Sequence, residues 1–313
     1  MPVEGPDFSL AVPNNGYAWW YVDALSDDGR HGLTIIAFIG SVFSPYYARA
    51  RRLGAGDPAH HCAINVALYG GAGKHWAMTE RGRGSLSRTQ NHFSLGPSAM
   101  AWDGTGLTID IDEVTVPIPK RIRGQVKVRG GAINGRTFTL SETGDHRWRP
   151  VMPMARVEAS FSKPDLNWSG SGYVDHNTGA AALDDGFSSW TWSRSIEKTG
   201  TTIFYEAAAR VGNSPPLALR FGTDGTFANV APPPVASLPQ SKWRVARATR
   251  SDAGSNPKVI ETLEDAPFYA RSVVEATIGG ERTTSMHESL SLDRFRNPIV
   301  QAMLPFKMPR RGG

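Results

Sequence analysis

The sequence predicts an all-β protein made of two antiparallel β-barrels or sandwiches in tandem, and three observations carry that expectation. Nearly twenty short runs of alternating, β-branched or aromatic residues follow one another, most of them bounded by Gly, Asp, Asn or Pro. About two hundred residues pass without a long amphipathic helix. The series breaks near the middle, at residues 150–158, where Pro150, Met152, Pro153 and Met154 cluster. A chain of 313 residues exceeds the usual single-domain size. The break therefore divides it into residues 1–155 and 156–313.

Residues 17–23 form an aromatic run, Asp27-Asp28-Gly29 supplies a turn, and residues 32–39 resume with Leu, Ile and Phe, which reads as a hairpin. Residues 44–56 carry Pro45, two tyrosines and Arg49, Arg51 and Arg52, so a loop with a short helical turn is expected. Residues 62–69 and 74–80 make the next pair around Gly70-Gly71-Ala72-Gly73. Runs at 85–90, 91–95 and 99–103 lead to 107–113, where apolar and acidic residues alternate. Asp110 and Asp112 share a face there, and ion pairing with Arg121 and Arg123 on the next strand accounts for them more simply than a catalytic carboxylate pair. Residues 126–129 and 137–140 continue the series, 144–150 break it, and 156–161 restart it. Further strands are expected at 187–193, 203–209, 217–221, 243–248, 272–277 and 283–292, with Ala231-Pro232-Pro233-Pro234 as a stiff spacer. Residues 294–311 read as a tail with one short helix, in which Ile299, Val300, Met303, Leu304 and Phe306 accompany Arg294, Arg296, Lys307, Arg310 and Arg311. Apolar area beside basic charge suits peripheral contact with an anionic membrane. Packing of the tail on its own barrel is the alternative.

A net charge of +5, spread along the chain without a recognition motif, gives nucleic-acid binding no support. Cys62 is the only cysteine, so no intrachain disulfide forms and a reducing compartment fits. Residues 1–7 lack the basic start and apolar core of a signal peptide, and no apolar run reaches the ~20 residues of a spanning helix. A soluble or peripheral protein made without export is expected.

Chemistry concentrates in residues 168–179, where Trp168, Tyr173, Asp175, His176 and Asn177 stand among glycines. On an extended segment Tyr173 and Asp175 point to one side and Val174 to the other. The same stretch also reads as a strand running into a polar turn at 176–179. Eight histidines show no zinc spacing, and the adjacent His60 and His61 would face opposite ways on a strand. Walker loop, dinucleotide fingerprint and Gly-x-Ser-x-Gly elbow are absent, so neither metal nor cofactor is expected. Nine tryptophans and eight tyrosines remain. A barrel lined by such rings takes an apolar ligand. Trp20, Tyr21, Trp168, Trp190 and Trp192, with His176, are the candidates to hold it. Burial among rings disfavours a carboxylate, which makes an acid there a proton donor. The rings then stabilise a carbocation by about 0.5–2 kcal/mol each.

The stretches Gly16-Tyr17-Ala18-Trp19-Trp20-Tyr21-Val22-Asp23, Thr79-Glu80-Arg81-Gly82, Ile109-Asp110-Ile111-Asp112-Glu113-Val114, Gly172-Tyr173-Val174-Asp175, Trp190-Thr191-Trp192-Ser193-Arg194 and Thr262 to Ser272 together carry a resemblance. The chain resembles the carotenoid 1,2-hydratases, also called hydroxyneurosporene synthases, over almost its whole length. That resemblance implies a pair of lipocalin-like β-barrels. It implies cofactor-free addition of water across the terminal C1=C2 bond of acyclic carotenoids such as neurosporene and lycopene, on the route to spheroidene and spirilloxanthin. It assigns the acid to Asp175, with Tyr173 and Trp148 as the aromatic companions that stabilise a tertiary cation at C1. The added water loses its proton to the Asp175 carboxylate or to another base such as His176. A cytoplasmic enzyme, peripheral on the inner or photosynthetic membrane, fits that substrate. Two rivals share the pocket chemistry: a polyene cyclase or isomerase of the same fold, and a non-catalytic carotenoid or lipid carrier, which has no use for a buried acid.

Overall fold

The structure, a computed structural model, describes residues 5–71 and 73–312. Ala72, in the turn expected at 70–73, lies outside them. In chain order the elements are β1 (Tyr17–Ser26), β2 (His31–Ile39), α1 (Pro45–Arg52), β3 (Cys62–Gly70), β4 (His75–Arg81), β5 (Leu86–Arg88), β6 (His92–Leu95), β7 (Ser98–Trp102), β8 (Leu107–Val114), β9 (Arg121–Arg129), β10 (Phe138–Thr139), β11 (His146–Lys163) and β12 (Asp165–Gly179). Then follow α2 (Leu183–Gly186), β13 (Phe187–Ile196), β14 (Gly200–Ala209), β15 (Leu217–Gly222), β16 (Phe227–Asn229), β17 (Val235–Leu238), β18 (Arg247–Arg250), β19 (Lys258–Ala266), β20 (Tyr269–Ile278), β21 (Glu281–Ser291), α3 (Leu292–Phe295), α4 (Pro298–Met303) and β22 (Arg310–Arg311).

These elements group into two compact units. The first takes Met1–Thr139, Gly144–Ala182 and Gln301–Gly313, the second Leu140–Thr143 and Leu183–Val300. This differs from the division after residue 155, because residues 146–163 are one strand and the chain changes unit after Ala182. Pro150 and Pro153 read as a break because proline has no N–H for a ladder. β11 accepts them at two register irregularities, between Pro150 and Met152 and between Met152 and Ala155.

In the first unit the strands run β22-β4-β3-β2-β1-β12-β11-β9-β8-β7-β6-β5, with β10 on β11. The expected hairpins at 17–39 and 62–80 are present, and Ser44 caps the short helix α1. The sheet curls on itself. Arg81 of β4 pairs at 2.8 Å with Glu113 of β8, although those strands stand far apart in the order. One apolar core fills the curl, with Trp20, Val22, Ile35 and Val66 from one half and Phe93, Ile109, Val126 and Phe161 from the other. Outside it, Asp112 accepts 2.6 Å hydrogen bonds from Arg121, the cross-strand ion pair expected of β8, whereas Asp110 accepts a hydrogen bond from Gln125 in place of an arginine.

The second unit is a seven-stranded sheet, β16-β15-β14-β13-β21-β20-β19, with β17 and β18 paired separately. Every strand pair in it is antiparallel.

Candidate active site

Three neighbouring strands of the first unit build the site. β1 runs against β12 with Tyr17 opposite Gly179, Tyr21 opposite Asp175 and Asp23 opposite Tyr173. On the other side of β12, β11 places Trp148 opposite Asn177 and Pro150 opposite Asp175. Alternation along each strand then sorts the side chains onto two faces. Ala18, Trp20, Val22 and Val174 enter the core of the curl. Tyr21, Asp23, Tyr173, Asp175, Asn177 and Trp148 lie on the opposite face, and all six are buried.

The strand continues to Gly179, so residues 176–179 are extended and form no turn. Its glycines are close-packing positions. A Cβ on Gly179 would lie 2.2 Å from Cε1 of Tyr17, and one on Gly172 would lie 2.3 Å from Cγ2 of Val157. Tyr17 is held in turn by a 2.9 Å hydrogen bond to Nδ1 of His146 and by stacking on Trp19 at 4.9 Å.

Asp175 is the centre of the polar network. Its Oδ2 accepts from Trp148 Nε1–H at 2.8 Å and from the Tyr173 hydroxyl at 2.8 Å, while Asn177 Nδ2 lies 3.4 Å from Oδ1. Two donors occupy Oδ2 as an acceptor, so in the acid form of this side chain Oδ1 is the oxygen that carries the proton. The Tyr173 phenol is pushed well above its ordinary pKa by burial and then by the charge of Asp175, so it serves as a donor and not as a base. Rings close the surroundings: Tyr21 meets Tyr173 edge-on at 6.1 Å, and Phe138 lies 5.6 Å from Trp148.

The structure thus brings together Asp175, Tyr173, Trp148 and Tyr21. It separates three other candidates from them. Trp20 and His176 are register partners on the core face, and Trp168 packs against the same core, stacking on His31 at 6.5 Å. Burial, with Arg149 nearby, lowers the His176 pKa to about 4. Trp190 and Trp192 belong to β13 of the second unit, where Trp190 lies 6.2 Å from Tyr205. Glu264 of that unit pairs with Arg271, and Asp265 accepts from the backbone N–H groups of Lys242 and Trp243, so each has a structural task. Asp23 and His146 are among the residues on the acid's face that went unselected in the sequence. Their signal was period two, since Asp23 ends the alternation Tyr17, Trp19, Tyr21, Asp23, and His146 stands two before Trp148.

Residues 35–313 match the model of the family described as carotenoid hydratase CrtC. This chain belongs to that family. Within the carotenoid hydratases it is similar to the acyclic carotenoid 1,2-hydratase of Thiocapsa roseopersicina, 55% identical over 313 residues that cover 100% of this chain and 77% of that one. The acyclic carotenoid 1,2-hydratase of Rubrivivax gelatinosus is 46% identical over 309 residues, 98% of this chain and 76% of that one. Among solved structures, kievitone hydratase from Nectria haematococca superposes with a TM-score of 0.56 at 11% identity, covering 93% of this chain and 95% of its own. That likeness concerns the fold, and it accords with the all-β, lipocalin-like architecture. Among the described residues, no three His, Cys, Asp or Glu side chains gather as metal ligands, and no helix is long and apolar enough to cross a membrane.

Proposed function

We propose that this family member adds water across the terminal C1=C2 bond of an acyclic carotenoid by acid catalysis, without metal or organic cofactor. The observation that carries the reading is the buried Asp175 with two donors on a single oxygen, in a chain of the carotenoid hydratase family. The neutral Asp175 gives the Oδ1 proton to C2, and the electron pair of the double bond forms the new C–H bond. A tertiary cation is left at C1, and the faces of Tyr173 and Trp148 stabilise it. Water then forms the C1–O bond and loses a proton. The two donors serve the Asp175 carboxylate as well as the acid, so the residue keeps its place through both halves of the cycle.

The sequence offered His176 as a base for the water, but its placement on the core face speaks against that role. Incubation with lycopene or neurosporene tests the reading. A gain of one water in product mass supports hydration, unchanged mass with altered retention indicates a cyclase or isomerase, and unaltered bound substrate indicates a carrier. Cofactor independence is tested separately: activity is expected to survive prolonged chelation and dialysis, and specific restoration by one ion would refute it.

A further inference from the structure

Hydration includes one step for which the sequence offered two groups, the Asp175 carboxylate and His176: the loss of a proton from the water that adds to C1. We propose that Asp23 is the base for this step, an inference that rests on the hydratase reading. Asp23 is fully buried on β1 and sits opposite Tyr173, on the same face as Asp175, whose own partner is Tyr21. The two acids are therefore diagonal neighbours across an antiparallel pair, ~7–8 Å apart at the backbone. Acid–base pairs that work from two sides of a reacting carbon need room for a water between their carboxyls, and diagonal placement on one face of the sheet sets the two side chains on either side of such a space. The charge of Asp23 also reaches the Tyr173 phenol and helps to keep it protonated, which places the carboxyl beside the acid's own hydrogen-bond donor.

Other groups fit the step less well. Tyr173 stays protonated, and His176 faces the core. His146 stands opposite Gly179, four residues beyond Asp175 and so ~13 Å along the strand. Its Nδ1 is engaged with the Tyr17 hydroxyl. With Asp23 as base, one O–H bond of the water breaks as C1–O forms, and the proton moves to the Asp23 carboxylate. Between turnovers Asp23 releases that proton to solvent and Asp175 takes one up, so both groups return to their starting states.

The test uses the full chain with lycopene in heavy water, reading both hydrated product and deuterium in the recovered carotene. In Asp23→Asn, hydration should fall about 10²–10⁴-fold. Deuterium should still enter C2 of the recovered carotene, because the uncaptured cation rotates about C1–C2 and returns the original C2 hydrogen, instead of the added deuteron, to the Asp175 carboxylate. If hydration and exchange fall together in a folded variant, or hydration stays within tenfold of the parent, the proposal fails. Asp23→Ala supplies a second arm, since the space left admits a small carboxylate. Added formate should restore hydration where chloride does not, and no restoration counts against Asp23. If His146→Gln is the variant that separates exchange from hydration, the base is the histidine and the proposal is wrong. A parent protein that neither hydrates nor exchanges any acyclic carotene would instead sink the hydratase reading, so the two failures are distinguishable.

Discussion

In the proposed mechanism the two oxygens of Asp175 do different work, Oδ2 accepting from Trp148 and Tyr173 and Oδ1 delivering the proton. Asp175→Asn keeps an acceptor for Trp148 and Tyr173 but replaces the transferable proton with an amide. Hydration should fall by about 10²–10⁴-fold while polyene binding, followed by the shift in carotenoid absorbance, survives. Near-normal turnover in a folded Asp175→Asn protein would move the acid elsewhere. Tyr173→Phe and Trp148→Phe each keep a ring and remove one donor. A hydrogen bond to a charged group contributes about 1.5–3 kcal/mol, so each should cost roughly 10- to 150-fold in kcat with little change in binding. Part of this constellation was legible. Tyr173 and Asp175 follow from their spacing on one strand, whereas Trp148 lies on another strand, and only the family resemblance brought it in. Asp23 escaped because both faces of β1 are buried, so its sequence shows no wet side against which a buried acid stands out.

Among elements, the tail divides its apolar residues in a way the sequence left open. Val300, Leu304 and Met308 are buried, while Ile299 (71% exposed), Met303 (39%) and Phe306 (73%) face outward. The tail is also tied down: β22 pairs with β4, Arg310 bonds to Glu80 and His61, and Lys307 lies over the Trp76 ring at 5.8 Å. Deleting 294–313 should therefore destabilise the fold. Replacing Ile299, Met303 and Phe306 by Ser should leave it folded and lower flotation with anionic liposomes; unchanged flotation would count against membrane contact through the tail. Gly179→Ala is a further expectation of the same scale. The new methyl meets the Tyr17 ring, so thermal stability should drop, as a melting curve would show. Strands such as β8 were readable because one face is wet and one dry. β11 was not, since its prolines look like a stop until the register irregularities that hold them are seen.

For the molecule as a whole, two buried histidines set a pH dependence. His176 in the first unit and His287 in the second are each lowered to about 4, chiefly by burial. His287 is neutral with Nε2–H donating to the Ala248 carbonyl at 2.7 Å. As the pH falls from 6.5 toward 4, the unfolded chain binds protons that the folded one refuses. Each histidine then removes about 1.4 kcal/mol of stability per pH unit, and its effect levels off below pH 4. Urea titrations between pH 7 and 4.5 should show this slope, and His176→Gln or His287→Gln should flatten it. A slope unchanged in both variants would refute the assignment. Because the two histidines lie in different units, separate transitions are to be expected, and each should be followed by its own probe. The tandem all-β plan was legible from strand count and turn residues. The way the chain is shared between units was not, because a long hairpin such as β11–β12 looks the same in sequence wherever the division falls.

The first unit draws its residues from both sides of the second unit's sequence. On the ribosome, β4 is made early, yet its edge partner β22 emerges only after the whole of the second unit. Through that interval the end of β4, at Glu80 and Arg81, lacks its partner, and an unpaired strand end invites pairing with neighbouring nascent chains. Yield in a heterologous host should then depend on how fast the last stretch is translated and on chaperones that shield strand edges, more than on the stability of the finished fold.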